Sequence, residues 1–435
     1  VILLALVFSL EGPVAFVVLL HLVTFFLIAL VCHTELANRR PDVEGVTEFY
    51  FCVSIGGAAG GIFNALVAPL IFSSTYEYYL VLAAACALRR PVRTPAPSDS
   101  ARGLLLPLLL TLTVAATAYH WVGNRPPELI SRMVFLTLTA CLLYSFSGNP
   151  ARFALGVAGV LGSAALVQAS VGVLHQERNF FGVKKVAIVD QGRKTVLVHG
   201  TTNHGAEFIE TDLRHEPLMY YARSGPAGQV FSLLCNIHSV GVIGLGTGAL
   251  VRYRRPGQEW TFYEIDSAIE RIARDPRYFH YLDDGGPGTK IILGDGRLSI
   301  QKAPNNYYDV IVIDAFSSDS IPVHLLTKEA LSLYLEKLKD HGIILFHISN
   351  MYLRLSPVLA TLVENVGAVS KDELYQPSAK EAAQGATTAE WVAIARRQQD
   401  LGFLDKEPRW KPLVSKPGAR PWTDDFSNII SVIKW

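Results

Sequence analysis

Three glycines alternate with other residues in VIGLGTGA, Val242–Ala249, and three acids follow it, each closing an apolar run: Glu264 in WTFYE, Asp295 in GDGR and Asp314 in YDVIVIDAFSSD. Gly244, Gly246 and Gly248 permit a tight turn and a close approach of backbone to ligand. Gly244-x-Gly246-x-x-Ala249, with Glu264 about twenty residues on, also satisfies the dinucleotide pattern, so a nicotinamide dinucleotide is one reading. An acid at each of three successive strand ends is more than that ligand needs. It suits a nucleoside bearing positive charge, such as a sulfonium nucleoside. One acid would serve the ribose hydroxyls, one the adenine amino group and one the reacting centre. The competing reading makes Asp295 and Asp314 ordinary turn or helix-capping acids.

These residues need a sheet to bring them together. Strands are expected at about 240–243, 260–264, 290–294, 308–313 and 342–348, with helical patterns between them. In the run 327–339, Leu331, Tyr334, Leu335 and Leu338 mark one helix face, and Thr327 is placed to cap it. The alternation predicts a doubly wound, Rossmann-like α/β sheet, whose ligands sit outside the carboxyl ends of the strands. Segments 390–396 and 428–434 are expected to close it as an antiparallel pair. Residues 185–199 read as two strands around a Gln-Gly-Arg turn, a small β unit ahead of the main sheet.

The elements VGVIGLGTG, YEID, GDGR and YDVIVIDAFSSDSIP, in that order, resemble the spermidine synthase family of aminopropyltransferases. The likeness covers roughly residues 176–435. With its apolar N-terminal half, the chain is similar to bacterial fused proteins that join major-facilitator-type membrane helices to such a domain. The resemblance implies a sheet of the S-adenosylmethionine methyltransferase type and a transferase with no tightly bound cofactor. Its co-substrate would be decarboxylated S-adenosylmethionine, donating an aminopropyl group to an amine such as putrescine. Carried over, Gly244, Gly246 and Gly248 shape the turn, Glu264 holds the ribose, and Asp295 with Gly296 forms the adenine side. Asp314 positions and deprotonates the attacking amine, assisted by Tyr220 or Tyr221 of YYARSGP. His204 and Asp319 are the expected substrate-side contacts.

Departures from the family pattern fall on the amine side. Thr247 stands where the family often has an acid, His199 replaces an Asp with His204 near the place of a Gln, and the compact Asp-Ser-Ser-Asp-Pro element is stretched over Asp314–Asp319. Three further features carry open readings. Asp424 and Asp425 beside Trp422 either approach the amine pocket or form a solvated turn. Arg223 meets a ligand or caps local structure, and Arg252–Arg255 reads as a solvated helix face.

Half of the 435 residues are hydrophobic and 18% are charged. The apolar residues concentrate before about residue 172, in runs near 13–33, 48–72, 104–122, 129–147 and 152–172, each approaching the length of a membrane span. Residues 1–10 read as the end of a truncated helix, and 76–88 is short for a span. The small-residue pairs Gly56/Gly60 and Gly57/Gly61 suggest close helix packing. The expected organisation is a transmembrane region over 1–172, truncated at its start, a linker and β unit over 173–236, and a nucleoside-binding catalytic domain over 237–435. The basic loop residues, Arg39, Arg40, Arg89, Arg90, Arg93 and Arg102, leave the orientation of the helices open.

The net charge of +1 gives no sign of nucleic-acid binding, and the five cysteines show no metal-ligand spacing. The expected setting is the inner membrane, multi-pass, with the catalytic domain on the cytoplasmic side where its donor is made. The expected partners are a small-molecule amine and the lipid bilayer, with a homodimer left open. Two alternatives remain at this point. One is an S-adenosylmethionine-dependent methyltransferase, which would need partners for the donor carboxylate. The other is a non-catalytic polyamine- or nucleoside-sensing or transport-coupled domain.

Overall fold

The computed structural model describes residues 14–89, 102–123, 129–170, 172–200, 202–316, 322–415 and 418–434. The chain divides into two units, Val1–Phe180 and Phe181–Trp435. The first is helical, with helices Val14–Asn38, Val46–Ile62, Tyr76–Ala87, Arg102–Gly123, Leu129–Ser145 and Pro150–Ser170. The second of these runs on through a wider π turn, Phe63–Val67, into Ala68–Ile71. Each of the five long apolar runs falls on a helix, and 76–88 forms a short one; residues 1–10 lie outside the described residues.

Two of these helices, Val18–Asn38 with 21 residues and Val43–Ile71 with 29, are long and apolar enough to cross a bilayer. Leu19, Leu22, Phe25, Phe26 and Leu30 of the first are exposed. The unit's own core is Leu82, Leu110, Val114, Leu143, Val157, Val160 and Leu161. Close backbone approach occurs at Gly159, which lies directly against Thr111. The packing expected at Gly56, Gly57, Gly60 and Gly61 is not found, since a Cβ at any of the four would meet nothing within 4 Å. Those glycines lie on a helix whose described residues are almost wholly exposed, and no other described residue packs on the small-residue face. A strand, β1 (Val173–Asn179), ends this unit.

The second unit opens with an antiparallel meander, β2 (Gly182–Val189), β3 (Lys194–His199) and β4 (Thr202–Phe208). The turn between β2 and β3 passes through Asp190, Gln191 and Gly192, all at positive φ. β4, which carries His204, is an element the sequence pattern did not predict: TNHGAEF is a paired strand.

The main sheet follows with β5 (Ser239–Ile243), β6 (Glu259–Glu264), β7 (Thr289–Leu293), β8 (Tyr308–Ile313), β9 (Leu338–His347), β10 (Val369–Tyr375), β11 (Ala389–Ala395) and the short β12 (Lys411–Pro412). Their order is β12-β10-β11-β9-β8-β5-β6-β7. The five strands from β9 to β7 are parallel, while β11, β10 and β12 add antiparallel pairs on the β9 side. The sheet is doubly wound: β5 pairs with β6 on one side and β8 on the other, which makes the end of β5 the topological switch point.

Alternate residues of each strand enter different cores. Val310 and Val312 face one and Ile311 and Ile313 the other; Ile343 and Leu345 are opposed in the same way to Ile344 and Phe346. Burial on both faces explains the continuous apolar runs. The helix expected at 327–339 spans Lys328–Lys337, and Thr327 Oγ1 accepts the Ala330 N–H as its cap.

One closing strand is placed differently from expectation. β11 matches 390–396, but its second antiparallel partner is β10, VSKDELY, whose polar composition hides a strand. Residues 428–434 instead form a short turn, Ile430–Val432, with a single bridge from Ile433 to Leu353.

Candidate functional site

The glycine loop leaves β5 at the switch point. Gly244, Gly246 and Gly248 all have positive φ, at 103°, 55° and 83°. The first two are also enclosed by backbone: a Cβ on Gly244 would collide with the Asp314 carbonyl, and one on Gly246 with the His204 carbonyl. The loop is drawn tight by the Gly244 N–H, which donates to Tyr263 O at 2.9 Å, and by the Asp314 N–H, which donates to Ile243 O at 2.8 Å. It continues into a five-residue 3-10 turn, Ala249–Tyr253.

Each expected acid stands at a strand end. Glu264 closes β6, where its Oε2 accepts the Leu245 N–H of the glycine loop at 3.0 Å and its Oε1 the Asp266 N–H at 2.9 Å. Burial pushes its carboxyl up to about 7, against the pull of those N–H groups. Asp295 caps the helix Gly296–Ile300 through the Leu298 N–H at 2.8 Å and holds His324 Nε2 at 3.1 Å on its other oxygen. Gly296 packs against the Ile243 side chain so closely that no Cβ fits.

Asp314 follows β8, with its side chain only 6% exposed. Its Oδ2 accepts the Tyr221 hydroxyl at 2.7 Å, and its Oδ1 meets His347 Nδ1 at 2.6 Å. Burial and the Asp314 charge hold the Tyr221 phenol well above its ordinary value, so it remains a donor. Of the two tyrosines singled out from sequence, Tyr221 touches Asp314. Tyr220 instead packs its ring against His347, with centroids 4.8 Å apart.

Glu264, Asp295, Gly296, Asp314, Gly244, Gly246 and His204 line one pocket, which Phe181, His199, Asp266, Phe316 and His324 also help to enclose. Gly248 stands just behind it, where a Cβ would lie 2.9 Å from the Leu282 side chain. Among the described residues the pocket wall carries four acids, three histidines and no lysine or arginine. His199 is held below its ordinary value by burial and by nearby Lys184, which keeps its imidazole neutral. Asp319 lies outside the described residues.

Sequence reasoning passed over three participants. Asp266, two residues beyond Glu264 within the YEID element, receives the buried Lys184 ammonium and caps the helix Ser267–Arg274. His324 reaches Asp295 from the opposite side. His347 ends β9, and the available signal was a polar residue closing the apolar run GIILF at the same sheet edge as the three acids. The features left open resolve as structure. Asp424 takes a bidentate bond from Arg297 at 2.7 and 2.8 Å, outside the main pocket, and Arg223 pairs with Glu216 at 2.7 Å. Arg252, Arg254 and Arg255 donate to the carbonyls of His215, Gly285 and Phe231, a role in tying loops together that replaces the expected solvated face.

The raised carboxyl of Glu264 gives a pH prediction. A ribose diol donates to the carboxylate better than to the neutral acid, so affinity for a ribose ligand is low while Glu264 is protonated and rises as pH passes through about 7. If Glu264 holds a ribose, as expected from the sequence, binding of neutral adenosine, measured by calorimetry, is about tenfold tighter at pH 8 than at pH 6. Glu264→Gln should flatten that dependence.

No family model matches the chain. It is similar to the polyamine aminopropyltransferase of Vibrio vulnificus, at 32% identity over 119 residues, 26% of this chain and 38% of the relative. It is also similar to that of Korarchaeum cryptofilum, at 26% identity over 123 residues, 27% of this chain and 37% of the relative. A third likeness, 35% over 111 residues, covers 24% of this chain and 18% of an N-terminal histidine N-methyltransferase of Emericella nidulans. The aligned segment thus spans under two fifths of each aminopropyltransferase. Among solved structures, a probable spermidine synthase from Corynebacterium glutamicum aligns with a TM-score of 0.43 at 14% identity, covering 59% of this chain and 97% of that one.

Proposed function

We propose that the second unit is a spermidine synthase-like aminopropyltransferase that moves the aminopropyl group of decarboxylated S-adenosylmethionine to an amine of the putrescine or polyamine class. The observation that carries this reading is the pocket wall, where Glu264, Asp295 and Asp314 meet no lysine or arginine among the described residues, the fourth acid, Asp266, being paired with Lys184. Such a wall favours a sulfonium and an ammonium over a ligand that brings its own carboxylate. Sequence likeness to two polyamine aminopropyltransferases supports it.

In this reading Glu264 accepts from the ribose hydroxyls and Asp295 with Gly296 borders the adenine. Asp314 faces the attacking nitrogen, with His204 on the acceptor side. An ammonium has no free lone pair, so its proton must leave first; the Asp314 carboxylate attracts the amine and takes that proton, directly or through water. The freed lone pair forms the C–N bond to the aminopropyl methylene beside sulfur as the C–S bond breaks. The bonding electrons pass to sulfur, and neutral methylthioadenosine leaves. Tyr221 keeps its proton and fixes one Asp314 oxygen. Holding both reactants in line supplies much of the remaining rate.

The first unit is, in this reading, a multi-pass anchor in the inner membrane. Its two long apolar helices expose side chains that water disfavours and a bilayer would cover. The catalytic unit is assigned to the cytoplasmic side.

The likeness to a methyltransferase supports a second reading, methyl transfer from intact S-adenosylmethionine. Calorimetry with the two donors separates them. The aminopropyl reading expects the decarboxylated donor to bind at least about tenfold more tightly, one unscreened like-charge contact being enough for that difference. Tighter binding of intact S-adenosylmethionine would transfer the assignment to methyl chemistry.

A further inference from the structure

His347 contacts Asp314, and no motif read from the sequence accounts for it. It is 3% exposed and surrounded by aromatic rings: it stacks on Trp391 at 4.5 Å and 16°, with Tyr220 at 4.8 Å and Phe316 at 4.9 Å. The stacking follows from sheet register, because His347 of β9 and Trp391 of β11 are direct antiparallel partners. The ring is therefore held on both faces, and its two nitrogens have fixed partners.

Nε2 lies 2.7 Å from Ser349 Oγ, and Nδ1 lies 2.6 Å from Asp314 Oδ1. Ser349 Oγ accepts the Glu390 backbone N–H at 2.8 Å, and its hydroxyl proton is free to be donated to Nε2, the arrangement the proposal below adopts. An acceptor Nε2 requires the proton of the neutral ring to be on Nδ1, pointing at Asp314. From the Glu390 N–H through Ser349 and His347 to Asp314, every donor in the chain points toward the carboxylate.

We propose that His347 is a positioning residue for Asp314: an imidazole fixed as its Nδ1–H tautomer by Ser349, which orients the carboxylate through one hydrogen bond and places no lysine- or arginine-type cation beside the incoming ammonium. A lysine or arginine there would hold Asp314 as firmly but would cancel its attraction for a positively charged amine. With Tyr221 on Oδ2 and His347 on Oδ1, both oxygens are fixed and their remaining lone pairs are left for the substrate. The inference rests on the aminopropyltransferase reading for its kinetic consequence but not for its structural content.

The test uses the full chain and two variants. His347→Phe keeps a flat ring on Trp391 and removes both nitrogens. His347→Asn places an amide nitrogen near the position of Nδ1 and restores one donor. The expected result is a kcat about 10- to 100-fold lower for the Phe variant, as for loss of a hydrogen bond to a charged group. The Asn variant should recover most of that loss, with methylthioadenosine affinity unchanged in both. In the wild type, 15N NMR of the histidine ring should show a protonated Nδ1 and a bare, hydrogen-bonded Nε2. Full kcat in the Phe variant, no recovery by Asn, or an Nε2–H tautomer would each overturn the proposal. If the wild-type chain yields no methylthioadenosine from any amine, the functional reading fails, and the NMR tautomer still decides the role of His347.

Discussion

Asp314→Asn is expected to lower kcat for aminopropyl transfer by about 10²- to 10⁴-fold, the range for removal of a general base. The substitution is nearly isosteric, and the side chain it replaces is gripped by Tyr221 and His347, so the backbone at the end of β8 should stay in place. An amide nitrogen can neither accept a proton nor attract an ammonium. It also turns a donor toward a partner that is itself a donor, and the Tyr221 hydroxyl can rotate away more readily than the His347 ring. Methylthioadenosine should bind with little change, since Glu264 and Asp295 border the nucleoside. Single-turnover kinetics with methylthioadenosine as the measured product, beside calorimetry with the same molecule, separates the two effects. Retained turnover would remove Asp314 from the catalytic role.

Gly244→Ala is expected to damage both the fold and donor binding. Gly244 has φ of 103°, outside the range an alanine adopts comfortably, and the new methyl would meet the Asp314 carbonyl. That carbonyl is backbone at the end of a buried strand, tied to β5 through the Asp314 N–H, so it has little room to give. The cost is on the order of 2–4 kcal/mol, a fall in Tm of roughly 5–15 °C for a unit of this size. Gly257→Ala serves as the control: its φ is 84°, but a Cβ there meets nothing within 4 Å, so strain acts alone at about 1 kcal/mol. Thermal unfolding of the two variants compares strain with strain plus collision, and equal losses would contradict the close approach at Gly244.

How far these residues could be read in advance depended on how local their signals are. The glycine loop, Glu264, Asp295 and Asp314 were legible because each lies at the end of an apolar strand whose boundary is written in its own few residues. β10 was not legible: a strand flanked on both sides by antiparallel neighbours can carry Lys371, Asp372 and Glu373, and nothing in VSKDELY announces its partners. Residues 428–434 misled in the opposite direction, since an apolar run marks burial and not pairing. His347 became significant only through long-range register, opposite Trp391 and beside Asp314, contacts that no sequence window contains. The glycine pairs near residue 60 carry a packing pattern that no neighbour among the described residues uses.

The central claim is tested most directly by the products of the purified full chain. It would be supplied with decarboxylated and with intact S-adenosylmethionine in separate reactions, each with a panel of amines that includes putrescine, and the products read by mass spectrometry. The account predicts methylthioadenosine together with an amine heavier by one aminopropyl group, formed only from the decarboxylated donor and lost in Asp314→Asn. S-adenosylhomocysteine with a methylated acceptor, formed from the intact donor, would contradict it.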